Sequence, residues 1–231
     1  MNQKQWSKLS LLISASMVAS TAFALEGSAL EGDAERGQAA AATCTACHQA
    51  NGSGMNIPGG ESWPRLAGLN ADYMVKQLHD FKEGRRQSAS MMPFANMLND
   101  QQIVDVAAYY SQMPVTPAQG GDDADEALLQ RGEQLAERGD WDAYIVSCKS
   151  CHGPGGVGVG ADFPEIASQH AGYLSAQLHA WKNDERSNDP QNLMGAIAKR
   201  MSDDDIQAVS AWYAAQTITE SAGRQEGEAA Q

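Results

Sequence analysis

Basic residues are scarce in this chain: 16 Lys and Arg stand against 29 Asp and Glu among 231 residues. A surface this acidic repels nucleic acid and anionic lipid, and it favours partners that present Lys- and Arg-rich docking faces. Beyond the N-terminus there is no apolar run approaching the roughly 20 residues needed to cross a bilayer. Alternating strand patterns are missing as well, which leaves an all-α fold as the expectation. Cysteine is limited to four residues. At 42% hydrophobic and 19% charged, the chain still has a globular composition and not a disordered or fibrous one.

The N-terminus reads as an export signal. Lys4 and Lys8 give a positive start, Leu9 to Val18 forms a short apolar core, and Ala22-Phe23-Ala24 places small residues where a signal peptidase reads. Residues 1–24 are therefore expected to be a signal peptide cleaved after Ala24, with the periplasm as destination. The core is too short for a retained anchor, and no Cys near the cleavage point supports a lipoprotein. Cleavage removes only the charges of Lys4 and Lys8, which takes the formal net charge from −13 to −15.

An exported chain with four Cys ordinarily suggests two disulfides. Their placement argues otherwise. They occur as Cys44-Thr-Ala-Cys47-His48 and Cys148-Lys-Ser-Cys151-His152, two copies of CxxCH. Residues three apart on a helix share a face, so both thiols can reach the two vinyl groups along one edge of a haem. The adjacent His then projects towards the iron. A zinc site built from two CxxC pairs would not need a His after each second Cys, and a thioredoxin-like site uses one CxxC in a βαβ setting. The expected cofactors are two covalently bound haem c groups, attached through Cys44, Cys47, Cys148 and Cys151, with His48 and His152 as axial ligands.

The two motifs are 104 residues apart, and the similarity extends past them. Pro64-Arg-Leu-Ala answers Pro164-Glu-Ile-Ala, and Tyr73 to His79 answers Tyr173 to His179, both at an offset of 100. Met91 to Asp100 answers Met194 to Asp203 at an offset of 103. Repeats of this length are two domains: residues 25–118 and 119–219, joined by a Pro-, Gly- and Asp-rich linker at 113–125 and followed by a flexible tail at 220–231. Each half should run from a helix carrying Arg36-Gly37 or Arg131-Gly132, through the haem motif and a Gly/Pro loop, to the Tyr-x-x-x-Gln-Leu-His helix. A last helix should span about 100–112 or 203–216, with Asn99 and Ser202 as N-caps.

A second axial ligand should recur at matching places in both halves. Met91 and Met194 do, each nine residues before the Asp that opens the last helix. A thioether favours reduced iron and raises the potential. His79 and His179 also align, but each sits mid-helix beside Leu78 or Leu178, where packed or surface roles are commoner. Met92 stays open as a neighbour of Met91. His170 has no counterpart and reads as a surface residue. The carbonyls of Pro64 and Pro164 are candidates to accept the ring N–H of the proximal His. Tyr73 and Tyr173 are candidates to bond a haem propionate or cover the haem edge.

At these residues the chain resembles the cytochrome c4 family of dihaem class I cytochromes, over most of the mature length. The longer step from Gly132 to Cys148, sixteen residues against seven from Gly37 to Cys44, also resembles that family. The resemblance implies two tandem class I domains related by a pseudo-twofold axis, haem edges close together near the interface, high-potential His/Met irons and electron delivery to a terminal oxidase. Met194-Gly-Ala-Ile departs from the Pro93-Phe94 pattern of the first half. The expected role is a periplasmic electron-transfer protein, not an enzyme, working between respiratory components such as a quinol-oxidising complex and a terminal oxidase. A cytochrome subunit of a periplasmic dehydrogenase complex is the alternative, which should expose a sizeable apolar docking patch. A dihaem peroxidase ranks third, because the aligned Met pair argues against one open iron. Nucleic acid is not an expected partner, and loose association with a membrane surface is left open.

Overall fold

A computed structural model describes residues 30–218; the expected signal peptide and the tail at 220–231 lie outside the described residues. In the first half, α1 (Ala34–Ala40) is opened by Asp33, whose carboxylate accepts the Arg36 N–H. The first haem motif occupies the single turn of α2 (Thr45–His48). Next come α3 (Ala71–Lys82), capped by Asn70, and the short α4 (Met91–Met97). Helix α5 (Asp100–Ser111) starts with a reciprocal capping box between Asn99 and Gln102.

The second half repeats this order: α6 (Glu126–Glu137), α7 (Lys149–His152), α8 (Ala171–Lys182), α9 (Leu193–Ala198) and α10 (Asp203–Ala215). Ser202 and Asp205 form the matching capping box on α10. The described residues contain no strand, only three isolated antiparallel bridges. The all-α expectation holds, and both last helices begin at the expected caps.

Within each half the first helix crosses the last one, α1 on α5 and α6 on α10. Glycine is required at both crossings. A Cβ on Gly37 would collide with the Asp105 carbonyl, and one on Gly132 with the Ala208 carbonyl. The neighbouring arginines lock the same crossings. Arg36 donates from Nε to Asp105 Oδ2 at 2.9 Å and from Nη2 to Oδ1 at 2.8 Å. Arg131 reaches Asp205 from Nε at 2.8 Å and Asp140 from Nη2 at 2.8 Å. Beneath the crossings lie two equivalent cores, one around Leu69, Met74, Val106 and Tyr110, the other around Leu135, Ile145, Ile206 and Tyr213. Burying a side chain as fully as Ile206 contributes about 2 kcal/mol.

The halves meet along a polar seam, and His170 corrects the sequence reading. It is not on the surface but 1% exposed. Its Nε2 donates to the Ser53 carbonyl at 2.7 Å, and its Nδ1 accepts the Gln119 N–H at 3.0 Å. It thereby ties the first haem loop, the linker and the start of α8 together. Burial lowers its pKa, which suits a ring that must donate on one side and accept on the other.

Candidate functional site

Each CxxCH motif is wound into one helical turn. The His48 N–H bonds the Cys44 carbonyl at 2.9 Å, and the His152 N–H bonds the Cys148 carbonyl at 3.0 Å. The chain then reverses sharply through a positive φ, at Gly153 in the second half and at Gln49 (φ 64°) in the first. A non-glycine residue pays a strain cost there, as backbone at functional sites often does. Among the described residues, no three His, Cys, Asp or Glu side chains are placed to share one metal ion.

Both motif histidines are buried, 5% exposed for His48 and 7% for His152. His48 Nδ1 donates to the Pro64 carbonyl at 2.9 Å, and His152 Nδ1 donates to the Pro164 carbonyl at 2.7 Å. A carbonyl can only accept, so Nδ1 carries the proton and Nε2 keeps its lone pair. Burial lowers both pKa values and holds the rings neutral, the form a metal binds. The thiols respond in the opposite sense: burial raises Cys44 and pushes Cys148 up to about 11. Beside them, Tyr110 and Tyr213 bury hydroxyls that have no hydrogen-bond partner.

A cavity of about 1050 Å³ runs between the halves and reaches both motifs. That exceeds the roughly 300–1,000 Å³ of an ordinary small-molecule pocket, as two large cofactors require. Met91, Met92 and Met194 all line it. His79 and His179 are absent from its wall. They are partly exposed instead, His79 lying 3.9 Å from Glu83 and His179 donating from Nδ1 to the Ser175 carbonyl at 2.9 Å.

Where the cavity crosses the seam, it meets two buried guanidinium groups that the sequence reading did not single out. Arg86 donates from Nη1 to Gln77 Oε1 at 2.9 Å and from Nη2 to both Tyr173 Oη and Gln177 Oε1 at 2.8 Å. Arg186 donates to Gln177 Oε1 at 2.6 Å and to Gln77 Oε1 at 3.2 Å. Every one of these acceptors is neutral, and among the described residues neither arginine has a carboxylate at ion-pair distance. Burial, with Arg86 close by, lowers the Arg186 pKa. Two buried cations in one seam are costly without an anion, so this stretch of the cavity suits carboxylate groups. The offset of 100 that pairs Tyr73 with Tyr173 also pairs Arg86 with Arg186, so the repeat held the signal. The longer lead into Cys148 exposes Trp141 (73%) and Tyr144 (78%), which carry no periodic signature.

Comparison with known proteins agrees with this geometry. The Cytochrome c family model matches residues 34–114 and 129–214. The thiosulfate dehydrogenase electron acceptor of Stutzerimonas stutzeri is 47% identical over 177 residues, covering 76% of this chain and 79% of its own length. Cytochrome c4 of Thiocapsa roseopersicina is 42% identical over 169 residues, covering 72% of this chain and 83% of that protein. Among solved structures, reduced recombinant cytochrome c4 from Pseudomonas stutzeri superposes with a TM-score of 0.73 at 35% identity, over 80% of this chain and 100% of that one. The thiosulfate dehydrogenase TsdBA from Marichromatium purpuratum gives 0.72 at 39% identity over 79% of this chain, which spans only 40% of that longer protein.

Two covalently bound haem c groups fit the site in chemistry as well as volume: two thiols and a neutral imidazole on each side, an apolar cavity between, and buried cations where propionates need partners. Two repeats of one class I domain, each with its own CxxCH turn, carry a dihaem electron-transfer protein, and the chain belongs to the cytochrome c4 family.

Proposed function

We propose that this chain is a periplasmic electron relay that accepts electrons from a thiosulfate-oxidising dehydrogenase and hands them to a respiratory acceptor such as a terminal oxidase. The observation that carries the relay is the single cavity joining both CxxCH turns across the seam. The donor is suggested by the 47% identical relative, itself named as an electron acceptor of thiosulfate dehydrogenase. Bound haem supplies one-electron exchange at iron. The chain does the rest. His48 and His152, whose tautomers the Pro64 and Pro164 carbonyls fix so that Nε2 keeps its lone pair, would hold the two haem irons together with Met91 and Met194. Held in this way by four side chains of the chain, the two groups would serve electron transfer and not substrate chemistry. The mature chain begins after Ala24, and its halves correspond to domains 25–118 and 119–219. Arg86 and Arg186, with Tyr173, would hold haem propionates at the seam.

A second reading, a general respiratory carrier fed by a quinol-oxidising complex, is favoured by the similarity to cytochrome c4 proteins. Rapid mixing separates the two. The oxidised holoprotein is mixed with thiosulfate and a purified thiosulfate dehydrogenase, and haem absorption is followed. Reduction of both haems within the turnover time of the dehydrogenase supports the first reading. No reduction there, but prompt reduction by a quinol-oxidising complex, replaces it with the second.

A further inference from the structure

The two loops that orient the motif histidines are joined by a buried ion pair. Pro64 and Pro164, whose carbonyls accept from His48 and His152, are followed directly by Arg65 and Glu165. These positions are equivalent in the repeat, yet they carry opposite charges. Arg65 is completely buried, and its Nη2 pairs with Oε1 of Glu165, whose side chain is 10% exposed. The rest of the guanidinium is spent on main-chain carbonyls: Nε donates to Ser168 at 2.8 Å, Nη2 to Ala167 at 3.1 Å, and Nη1 to Ala67. Gln169 closes the junction, accepting the Arg65 N–H at 2.8 Å and donating to the Arg65 carbonyl at 3.0 Å. The segment that carries the His152 acceptor is thereby bound to the residue next to the His48 acceptor.

Symmetry explains the choice of residues. Elements near a twofold axis face their own copies, so like charges at this position would repel inside the seam. One cation and one anion remove the conflict and leave this junction without net charge. The potential of a haem site responds to nearby net charge and to hydrogen bonding of the axial ligand.

We propose that Arg65 and Glu165 act as a shared electrostatic tuner of both haems, each charge offsetting the effect the other would have on both reduction potentials. The proposal rests on haem ligation by His48 and His152, and both charged residues are positioning residues that do not touch the iron.

The test is a spectroelectrochemical titration of holoprotein carrying Glu165→Gln, Arg65→Met, or both. Burial already raises the Glu165 pKa, so the work is done near pH 8 to keep a lone carboxylate ionised. Haem content is measured first on the unsubstituted protein; fewer than two haems per chain overturns the ligation reading and the tuner with it. Glu165→Gln strands a cation, and both haems should become easier to reduce. Arg65→Met strands an anion, and both should become harder to reduce. Each change should be roughly threefold or more in the reduced-to-oxidised ratio at fixed potential, and the double variant should return towards the original values. Shifts of the same sign in both single variants, shifts confined to one haem, or none at all would overturn the tuner. Arg65→Lys keeps the charge if Arg65→Met does not accumulate. Unchanged potentials in Arg65→Lys support the proposal, and a shift as large as that of an uncharged variant contradicts it.

Discussion

Replacing Gly132 with alanine probes how tightly the helix crossing beneath the second haem motif is packed. A Cβ there meets the Ala208 carbonyl and lies 2.5 Å from Trp212 Cβ, both on α10. Neither atom is the tip of a flexible side chain, so α6 must move away from α10. Overpacking of this kind costs about 1–3 kcal/mol, and a backbone clash belongs at the upper end. Alanine recovers about 1 kcal/mol over glycine inside a helix, leaving a net loss of about 2 kcal/mol. Should each half melt alone, as a unit of about 100 residues, Tm falls by roughly 8–15 °C; should the halves melt as one, the fall is about half that. Thermal unfolding of the holoprotein, followed by helix circular dichroism and by haem absorption, reads both the size and the cooperativity. Glu133→Ala, on the exposed face of the same helix, serves as the control and should stay within about 0.5 kcal/mol. A Gly132→Ala protein as stable as the original would refute the close-crossing argument.

Other substitutions address the site and the surface. Met91→Ala and Met194→Ala should each leave one haem that binds carbon monoxide and has a lowered potential, with the second haem unaltered by absorption spectroscopy. The Arg36 guanidinium holds the Asp105 carboxyl down to about 2, against 3.8 in the unfolded chain. Its stabilisation is therefore complete above about pH 4 and is lost as pH falls towards 2, so urea midpoints of the original and Asp105→Asn proteins should converge across that window. Electron transfer with a basic partner should slow as ionic strength rises, because the chain carries excess acid; stopped-flow rates from low to 0.5 M salt check this, and a flat profile contradicts charge-steered docking.

The sequence was most informative where local chemistry repeats. The CxxCH turns, the capping residues Asn99 and Ser202, and the Arg-Gly pairs at the crossings all carry short-range signals, and comparing the halves doubled each one. The proline carbonyls were legible for the same reason, since Pro64 and Pro164 align in the repeat and follow their motif histidines by similar spans, sixteen and twelve residues. What escaped was the seam. His170 has no counterpart, so symmetry could not flag it, and only three-dimensional contact with Ser53 and Gln119 shows it to be buried. Arg65 and Glu165 carry opposite charges at equivalent positions, a pattern that reads as divergence until the halves are placed face to face. Arg86 and Arg186 align in the repeat but resemble surface cations until their burial is seen. Periodicity reports which face of a helix is inward; it carries no record of where one domain rests on another.

Potentiometric titration of the purified holoprotein, followed by optical absorption and completed with carbon monoxide at the reduced end, tests the central claim most directly. Two haems per chain, both at positive potential and both inert to carbon monoxide, are expected for a relay with His48 and Met91 on one iron and His152 and Met194 on the other. A haem at negative potential, or one that binds carbon monoxide in the unaltered protein, would contradict symmetric His/Met ligation and point to an iron with an open or exchangeable position.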